Sequence, residues 1–496
     1  MNIAFENRSA ACCREVFRQT KLIQEHAECI VSDVLEDVGQ ILSAEAQICL
    51  KSKDVGEHGV SIGATADISV FYITESRECV RCIRLSKELE ADFECPALGP
   101  DVTAQISLSC QGVQARAVNP RKIAVQITVR ADLSCWAPDF LEIPLDPVEP
   151  VEGLQLRRDS VESVTTVDLA EKGFVLSEQL PLPADCEPSA IVCARAELLC
   201  REYQVIGSKA LIKGSAQLRI GFETQTETLP RFIENCLPFS VLLEMPDEAS
   251  RPGRVILETT ALYAELSDAI NGSRVVELEL HGTAQLSFEK NERVDFISDA
   301  YSTRCPVAIE KSAARLCLHS RKESLAASGS ERIPVDDERG AVSSCSAELL
   351  SFSDKEGKAV LSVSVSLLLR AEDGSYSAQQ RLVSLETPLP DADTELLAAR
   401  IVSAGAERQG GEIVLTLSAE IDCVCSETEE IPYISSLELD TDNAREASTL
   451  PSLTVARLAG RELWTLAKLY NSSEEAISAL SEKYALPGDL LLIPRV

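Results

Sequence analysis

Three stretches of this chain alternate apolar and polar residues with a period of two, and each has a later companion of the same kind. In residues 60–72 the apolar set is Val60, Ile62, Ala64, Ala66, Ile68, Val70 and Tyr72, and only Phe71 breaks the polar face between them. The second stretch carries Ala216, Leu218, Ile220 and Phe222, and the third Leu361, Val363, Val365, Leu367 and Leu369. Their companions are residues 123–135, 276–288 and 413–425. Such alternation is the mark of half-buried β-strands. Tyr72, Phe222 and Leu369 correspond, as do Cys135, Phe288 and Cys425. A turn signal precedes each companion: Asn119-Pro120, Asn271-Gly272 and Gly410-Gly411. Midway stands a proline after an apolar or thiol residue, in Cys95-Pro96, Met245-Pro246 and Leu389-Pro390. The first offset is 150 residues and the second about 145, too long for solenoid repeats of about 20–50 residues. The pattern predicts a mainly β fold of three tandem antiparallel, sandwich-like repeats.

On this reading β-domains occupy residues 28–136, 173–290 and 316–425. Residues 1–27 are expected to be helical. Residues 137–172, rich in proline and acid at their start, read as a linker and lead-in strand. Residues 291–315 read as a connection, and 426–449 as an acidic tether.

From about Pro451 the pattern changes, and residues 450–496 read as a separate module. Residues 452–456 form a short strand. Leu463, Leu466, Ala467 and Tyr470 share one face of a helix that Asn471 stops. Ser473 caps a second helix whose first turn holds Glu474 and Glu475. Pro487-Gly488-Asp489 makes a turn and residues 490–494 close with a strand. The expected tail is a small α+β unit of order βααβ.

Charge limits what the chain can bind. Against 47 Lys and Arg stand 79 Asp and Glu, a net charge of −32. A surface this acidic repels phosphate backbones and anionic membranes, so no nucleic-acid partner is expected. The tail is neutral: Arg457, Arg461, Lys468, Lys483 and Arg495 balance Glu462, Glu474, Glu475, Glu482 and Asp489. A neutral module on an acidic body suggests a tail that docks while the body stays solvated. The best apolar run, residues 359–369, is closed by Lys358 and Arg370, far short of the roughly 20 residues of a membrane span. The first residues build no signal-peptide core, so a cytosolic location is expected. The 18 cysteines are then expected to be reduced. Cys79 and Cys82 form a C-x-x-C pair without a second pair at zinc spacing. Cys423 and Cys425 fall on the apolar side of their strand. The histidines, His26, His58, His281 and His319, are scattered. No nucleophile–base or paired-carboxylate constellation emerges from the spacing. Neither a catalytic residue, a metal site nor a cofactor is expected.

The last 46 or so residues resemble a LysM domain. They follow its order of a Leu-Trp pair (Leu463-Trp464), Ala-Lys-x-Tyr (467–470), a second helix, and Pro-Gly-x-x-Leu-x-Ile-Pro (487–494). They depart from it where Gly-Asp-Thr is usual, here Gly460-Arg461-Glu462, and where Ser481 replaces an asparagine. The β-repeats resemble the SPOCS domain of spore-coat-associated proteins, through residues 179–188 (LPLPADCEP within), 207–214 (GSKALIKG) and 296–303 (FISDAYST). The domain order is similar to that of the SipL-type family of coat morphogenetic proteins. That resemblance implies a non-enzymatic adaptor of the mother-cell cytoplasm, recruited to the forespore surface. It also implies that the LysM tail binds the coat-basement ATPase, stage IV sporulation protein A, and that the β-repeats contact other coat proteins. Cys12 and Cys13, if exposed, would offer thiols for cross-linking in a mature coat.

The tail residues expected to meet the partner are Arg461, Trp464 and Lys468. Trp464 either packs in the small core or, with Leu463, Leu466 and Ala467 filling that core, stands partly exposed as an interface anchor beside two cations. The alternative function is a peptidoglycan-binding wall protein, reading N-acetylglucosamine through loops holding Gly460, Arg461, Glu462, Ser481 and Pro487.

Overall fold

A computed structural model describes residues 1–95, 98–269, 274–334, 341–390, 393–445, 452–484 and 486–495. Pro96, Asn271, Gly272, Pro451 and residues 446–449 of the expected tether lie outside these. The chain is mainly β, with antiparallel sheets throughout. Its first six strands are β1 (Phe5–Ile30), β2 (Val38–Gly56), β3 (Gly59–Thr74), β4 (Val80–Glu94), β5 (Thr103–Asn119) and β6 (Lys122–Pro147). They form two three-stranded sheets, β1-β6-β5 and β2-β3-β4. The alternating apolar residues of β3 and β6 face each other between the sheets, where Ile62, Ile68, Tyr72, Ile123, Ile127 and Leu133 are buried in one core.

The same strand order recurs twice. β7 (Leu154–Pro181), β8 (Pro188–Ile206), β9 (Lys209–Thr224), β10 (Arg231–Glu244), β11 (Arg251–Asp268) and β12 (Arg274–Ser302) give sheets β7-β12-β11 and β8-β9-β10. β13 (Val307–Pro334), β14 (Ala341–Lys355), β15 (Lys358–Arg370), β16 (Tyr376–Pro388), β17 (Thr394–Gln409) and β18 (Glu412–Leu439) give β13-β18-β17 and β14-β15-β16. Even the irregularities recur. β2 is bulged at Ile41/Ser43 and Leu50/Ser52, and β8 at Ile191/Cys193 and Cys200/Glu202, 150 residues on.

The expected helix at 1–27 is instead most of β1, paired with β6 from Phe5 opposite Pro147 to Ile30 opposite Lys122. Charges on both faces of this segment blur its period. Pairing, with Phe17, Ile23 and Cys29 turned to the core, overrides local propensity. Cys12 and Cys13 are therefore half-buried strand residues.

The expected linkers are strands as well. β6 continues to Pro147 and β7 begins at Leu154; β12 runs to Ser302 and β13 begins at Val307; β18 runs to Leu439. Among the described residues after β6, β12 and β18, only 148–153, 303–306, 440–445 and 452 lie between strands. The prolines of 137–147 are tolerated because β5 ends opposite Trp136. Beyond it β6 pairs with β1 alone, and proline can face an open edge. In each unit the first and last strands thus leave the sandwich as a two-stranded ribbon. A β-bulge marks the departure each time, at Glu15/Phe17, Phe288/Glu289 and Cys317/His319, where bulges add twist and bend.

The three ribbons bury their apolar faces on one another. Ile143 of the first, Val294 and Phe296 of the second, and Leu316 and Ile431 of the third form one cluster. Ile3, Ile297, Ala300, Ile434 and Leu437 form another beyond it. Asn2 bridges to Glu438, and the Met1 ammonium donates to the Leu439 carbonyl, 2.6 Å away. The sandwiches also touch one another. Leu42, Phe71 and Ile73 of the first, Val192 and Cys193 of the second, and Leu368 and Tyr376 of the third share a buried cluster. Glu395 of the third accepts from Arg18 of the first at 2.8 Å and from Arg254 of the second at 2.9 Å. The units are therefore mutually packed rather than beaded on tethers.

No helix among the described residues is long and apolar enough to cross a membrane.

Candidate functional site: the tail and its seat

The tail comprises β19 (Leu453–Arg457), α1 (Leu463–Tyr470), α2 (Glu474–Lys483) and β20 (Leu490–Pro494), with β19 antiparallel to β20. Asn471 closes α1 in the left-handed conformation, φ 52°. Ser473 caps α2, its hydroxyl accepting from the Ala476 amide at 3.2 Å. Leu466 and Ala467 of α1, Ile477 of α2, Ala456 of β19 and Ile493 of β20 form the tail core. A core this small leaves little to spare for stability, and the body contributes to it. Tyr301, near the end of β12, belongs to the same cluster.

Trp464 is where tail and body meet. Its indole is 8% exposed and packs edge-on to the Tyr301 ring, with centroids 4.9 Å apart. Its Nε1 donates to Asp299 Oδ2 at 2.8 Å, and Lys468 Nζ reaches both oxygens of the same carboxylate at 2.7 Å. The Tyr301 hydroxyl donates to the Ser472 carbonyl at 2.8 Å. Glu462 does not cap α1 with its side chain; it pairs with Arg157 of β7 at 2.6 Å. Burial alone would raise the Asp299 carboxyl, but the hydrogen bonds from Lys468 and Trp464 outweigh it and hold it below the usual carboxylate range. A bulge sets this geometry. The pairing of β12 with β7 shifts register between Ile297 and Asp299, and bulges re-aim side chains.

The expected partner residues are thus brought to one place, but not as an open face. Trp464 is buried rather than exposed, because Asp299 and Tyr301 cover it. Lys468, though exposed, is engaged by Asp299. Arg461 remains exposed, with no ion pair among the described residues. Of the loop residues, Gly460 takes φ 74° in the turn before α1. Glu462 is held by Arg157, the Ser481 hydroxyl is buried without a partner, and Pro487 is exposed. The tail, expected to dock on a partner, is seated on the body of its own chain. Sequence reasoning missed Asp299, Tyr301 and Arg157. Asp299 and Tyr301 lie within FISDAYST, noticed only as a repeat marker.

A second polar locus lies between the sandwiches. A cavity of about 890 Å³ is lined by residues of all three units, Glu45, Arg195, Arg219 and Glu348 among them. Arg195 pairs with Glu348 at 2.9 Å and Arg219 with Glu45 at 2.7 Å. Burial pushes the Glu348 carboxyl up to about 7 against the pull of Arg195. Both arginines are paired to carboxylates. Cys423 and Cys425 are buried. Among the described residues no three His, Cys, Asp or Glu are grouped to hold a metal ion.

Comparison with family models, with curated proteins and with solved structures returns no match to this chain.

Proposed function

We propose that this chain is a non-enzymatic scaffold of spore-coat assembly, of the SipL type. Its three six-stranded units are copies of one SPOCS-like domain, and its tail is a LysM module that docks onto the coat-basement ATPase, stage IV sporulation protein A. The units offer surfaces to other coat or forespore-surface proteins, and the protein works in the mother cell. The observation that carries the reading is the tail. The stretch with Leu463-Trp464 and Ala-Lys-x-Tyr folds as α1, inside the βααβ order that the LysM resemblance requires. The recurrence of strand order and of bulges 150 residues apart supports the repeat assignment. Against glycan reading stands Glu462, whose carboxylate is occupied by Arg157.

On this reading the ATPase must take the place of the seat, since Trp464 and Lys468 are held by Asp299. The test is binding of the full chain to the purified ATPase, with peptidoglycan sedimentation alongside. Capture of the ATPase is expected, weakened by Trp464→Glu and Arg461→Glu and not by Asp299→Ala. Retention on peptidoglycan without ATPase binding would overturn the proposal.

A further inference from the structure

The contact that seats the tail consists of few groups, and all lie on the two facing surfaces. The tail supplies Trp464, Lys468, Glu462 and the Ser472 carbonyl; the body supplies Asp299, Tyr301 and Arg157. The apolar clusters of the body contain no tail residue apart from the one built around Tyr301. The tail is joined to β18 by residues 440–452, fixed to the body through Arg445, whose guanidinium donates to the Ser302 carbonyl at 2.8 Å. Beyond Arg445, an extended run of seven residues to β19 reaches about 24 Å. Every copy of the chain presents the same tail face and the same seat. We infer that the seat at Asp299 and Tyr301 receives the tail of a second copy as well as its own, so that the chain associates with itself tail to seat.

The occupant is identified by the seat itself. The carboxylate of Asp299 is placed to bridge an indole N–H and an ammonium four residues apart on one helix, and Tyr301 meets the indole edge. The tail fits that description. Charge favours it too, because the neutral tail is the one part of the chain that does not add to the −32 of the rest. Affinity follows from the tether. A tether this short gives an effective concentration of about 1 mM, so a tail seated nine-tenths of the time has a dissociation constant of about 0.1 mM between separate chains. The intramolecular contact then prevails in dilute solution, and exchange between chains takes over where copies are concentrated on a surface. Two chains exchanging tails close a dimer; exchange without reciprocity extends into a row. This inference does not depend on the coat reading.

Complementary charge reversals test it with full chains. Asp299→Lys faces its own Lys468 with a like charge, and Lys468→Asp faces its own Asp299. Neither variant can seat a tail on itself or on its own kind. Mixed, the body of the Lys468→Asp chain meets the unaltered tail of the Asp299→Lys chain, and the two reversed residues oppose each other in the second contact. At about 300 µM of each, several-fold above the expected dissociation constant, sedimentation velocity should find each variant monomeric and the mixture dimeric. Adding Trp464→Glu to both chains should return the mixture to monomers. Amide exchange over α1 should be faster in each variant alone and slowed in the mixture. A mixture that stays monomeric while α1 exchange reports unseated tails overturns the inference. So does dimerisation of either variant alone, and so does a tail that remains seated in both.

Discussion

Glu258 of β11 is a carboxyl buried between two units with no ion pair among the described residues. It is 7% exposed, and its Oε1 accepts from the Leu108 amide of β5 at 3.1 Å. Burial pushes it up to about 8; the Leu108 amide and the Ser107 side chain pull the other way, and Asp132 adds to the rise. The folded chain therefore keeps a proton that the unfolded chain releases near pH 4.5. Between these values the native state binds more protons than the unfolded state, so stability falls as pH rises. At 1.36 kcal/mol for each pH unit the loss across the window is about 5 kcal/mol, of which about 3 kcal/mol is incurred by pH 7. Glu258→Gln keeps the shape and an acceptor for the Leu108 amide, and removes the titration. Urea unfolding at pH 5, 7 and 9 should show the variant gaining on the parent as pH rises, by a few kcal/mol at pH 9. Glu348 titrates in both proteins and cancels in the difference. Parallel pH profiles for parent and variant would refute the reasoning.

The ribbons invite a simpler test. Ile143, 3% exposed in the core shared by the three ribbons, should cost about 4 kcal/mol or more when changed to Asp, whereas in a solvated linker the change would stay within about 0.5 kcal/mol. Urea unfolding of Ile143→Asp separates the two. Thiol chemistry reports the same packing. Cys200 and Cys236 are exposed, while Cys82 and Cys193 are buried at the contact between the first two units. Burial raises both buried thiols. Mass spectrometry of native alkylation should find Cys200 and Cys236 modified first, and Cys82 and Cys193 only after unfolding.

What the sequence revealed of the fold follows from where each strand sits. The six stretches read by their alternation are β3, β9, β15, β6, β12 and β18, the middle strands of the six sheets. A middle strand is paired on both sides, so its register cannot slip and its inner face must be apolar without interruption. The outer strands were harder to read for two physical reasons. Bulges such as Ile41/Ser43 and Leu50/Ser52 reset the phase of β2 twice, so a period counted along the chain loses step. And β1, open on one side, carries charge on both faces, Arg14 and Glu15 next to each other among them. The ribbons were misread because proline and glutamate were weighed as signs of solvation. Glu427, Glu429 and Glu430 are indeed exposed, yet Ile431, Ile434 and Leu437 beside them are buried on the other ribbons.

The seat required information that no local pattern holds, since Trp464 and Asp299 are 165 positions apart. The threefold recurrence nevertheless explains why the tail sits where it does. Each ribbon has a second bulge on its last strand. It falls at Pro144/Asp146 in the first unit, Ile297/Asp299 in the second and Ile434/Ser436 in the third. The corresponding residues two positions on are Val148, Tyr301 and Glu438. In the first unit the aspartate is matched, but Asp146 is paired with Arg158 at 2.5 Å, and Val148 has no ring to meet an indole. In the third unit a serine stands in place of the carboxylate, and Glu438 would set a charge against the Trp464 ring. Only the second unit joins a carboxylate to an aromatic ring at this position. A fold that supplies three equivalent bulges therefore supplies one seat per chain. Association through that seat then adds one tail for each body, whether the two belong to the same chain or to neighbours.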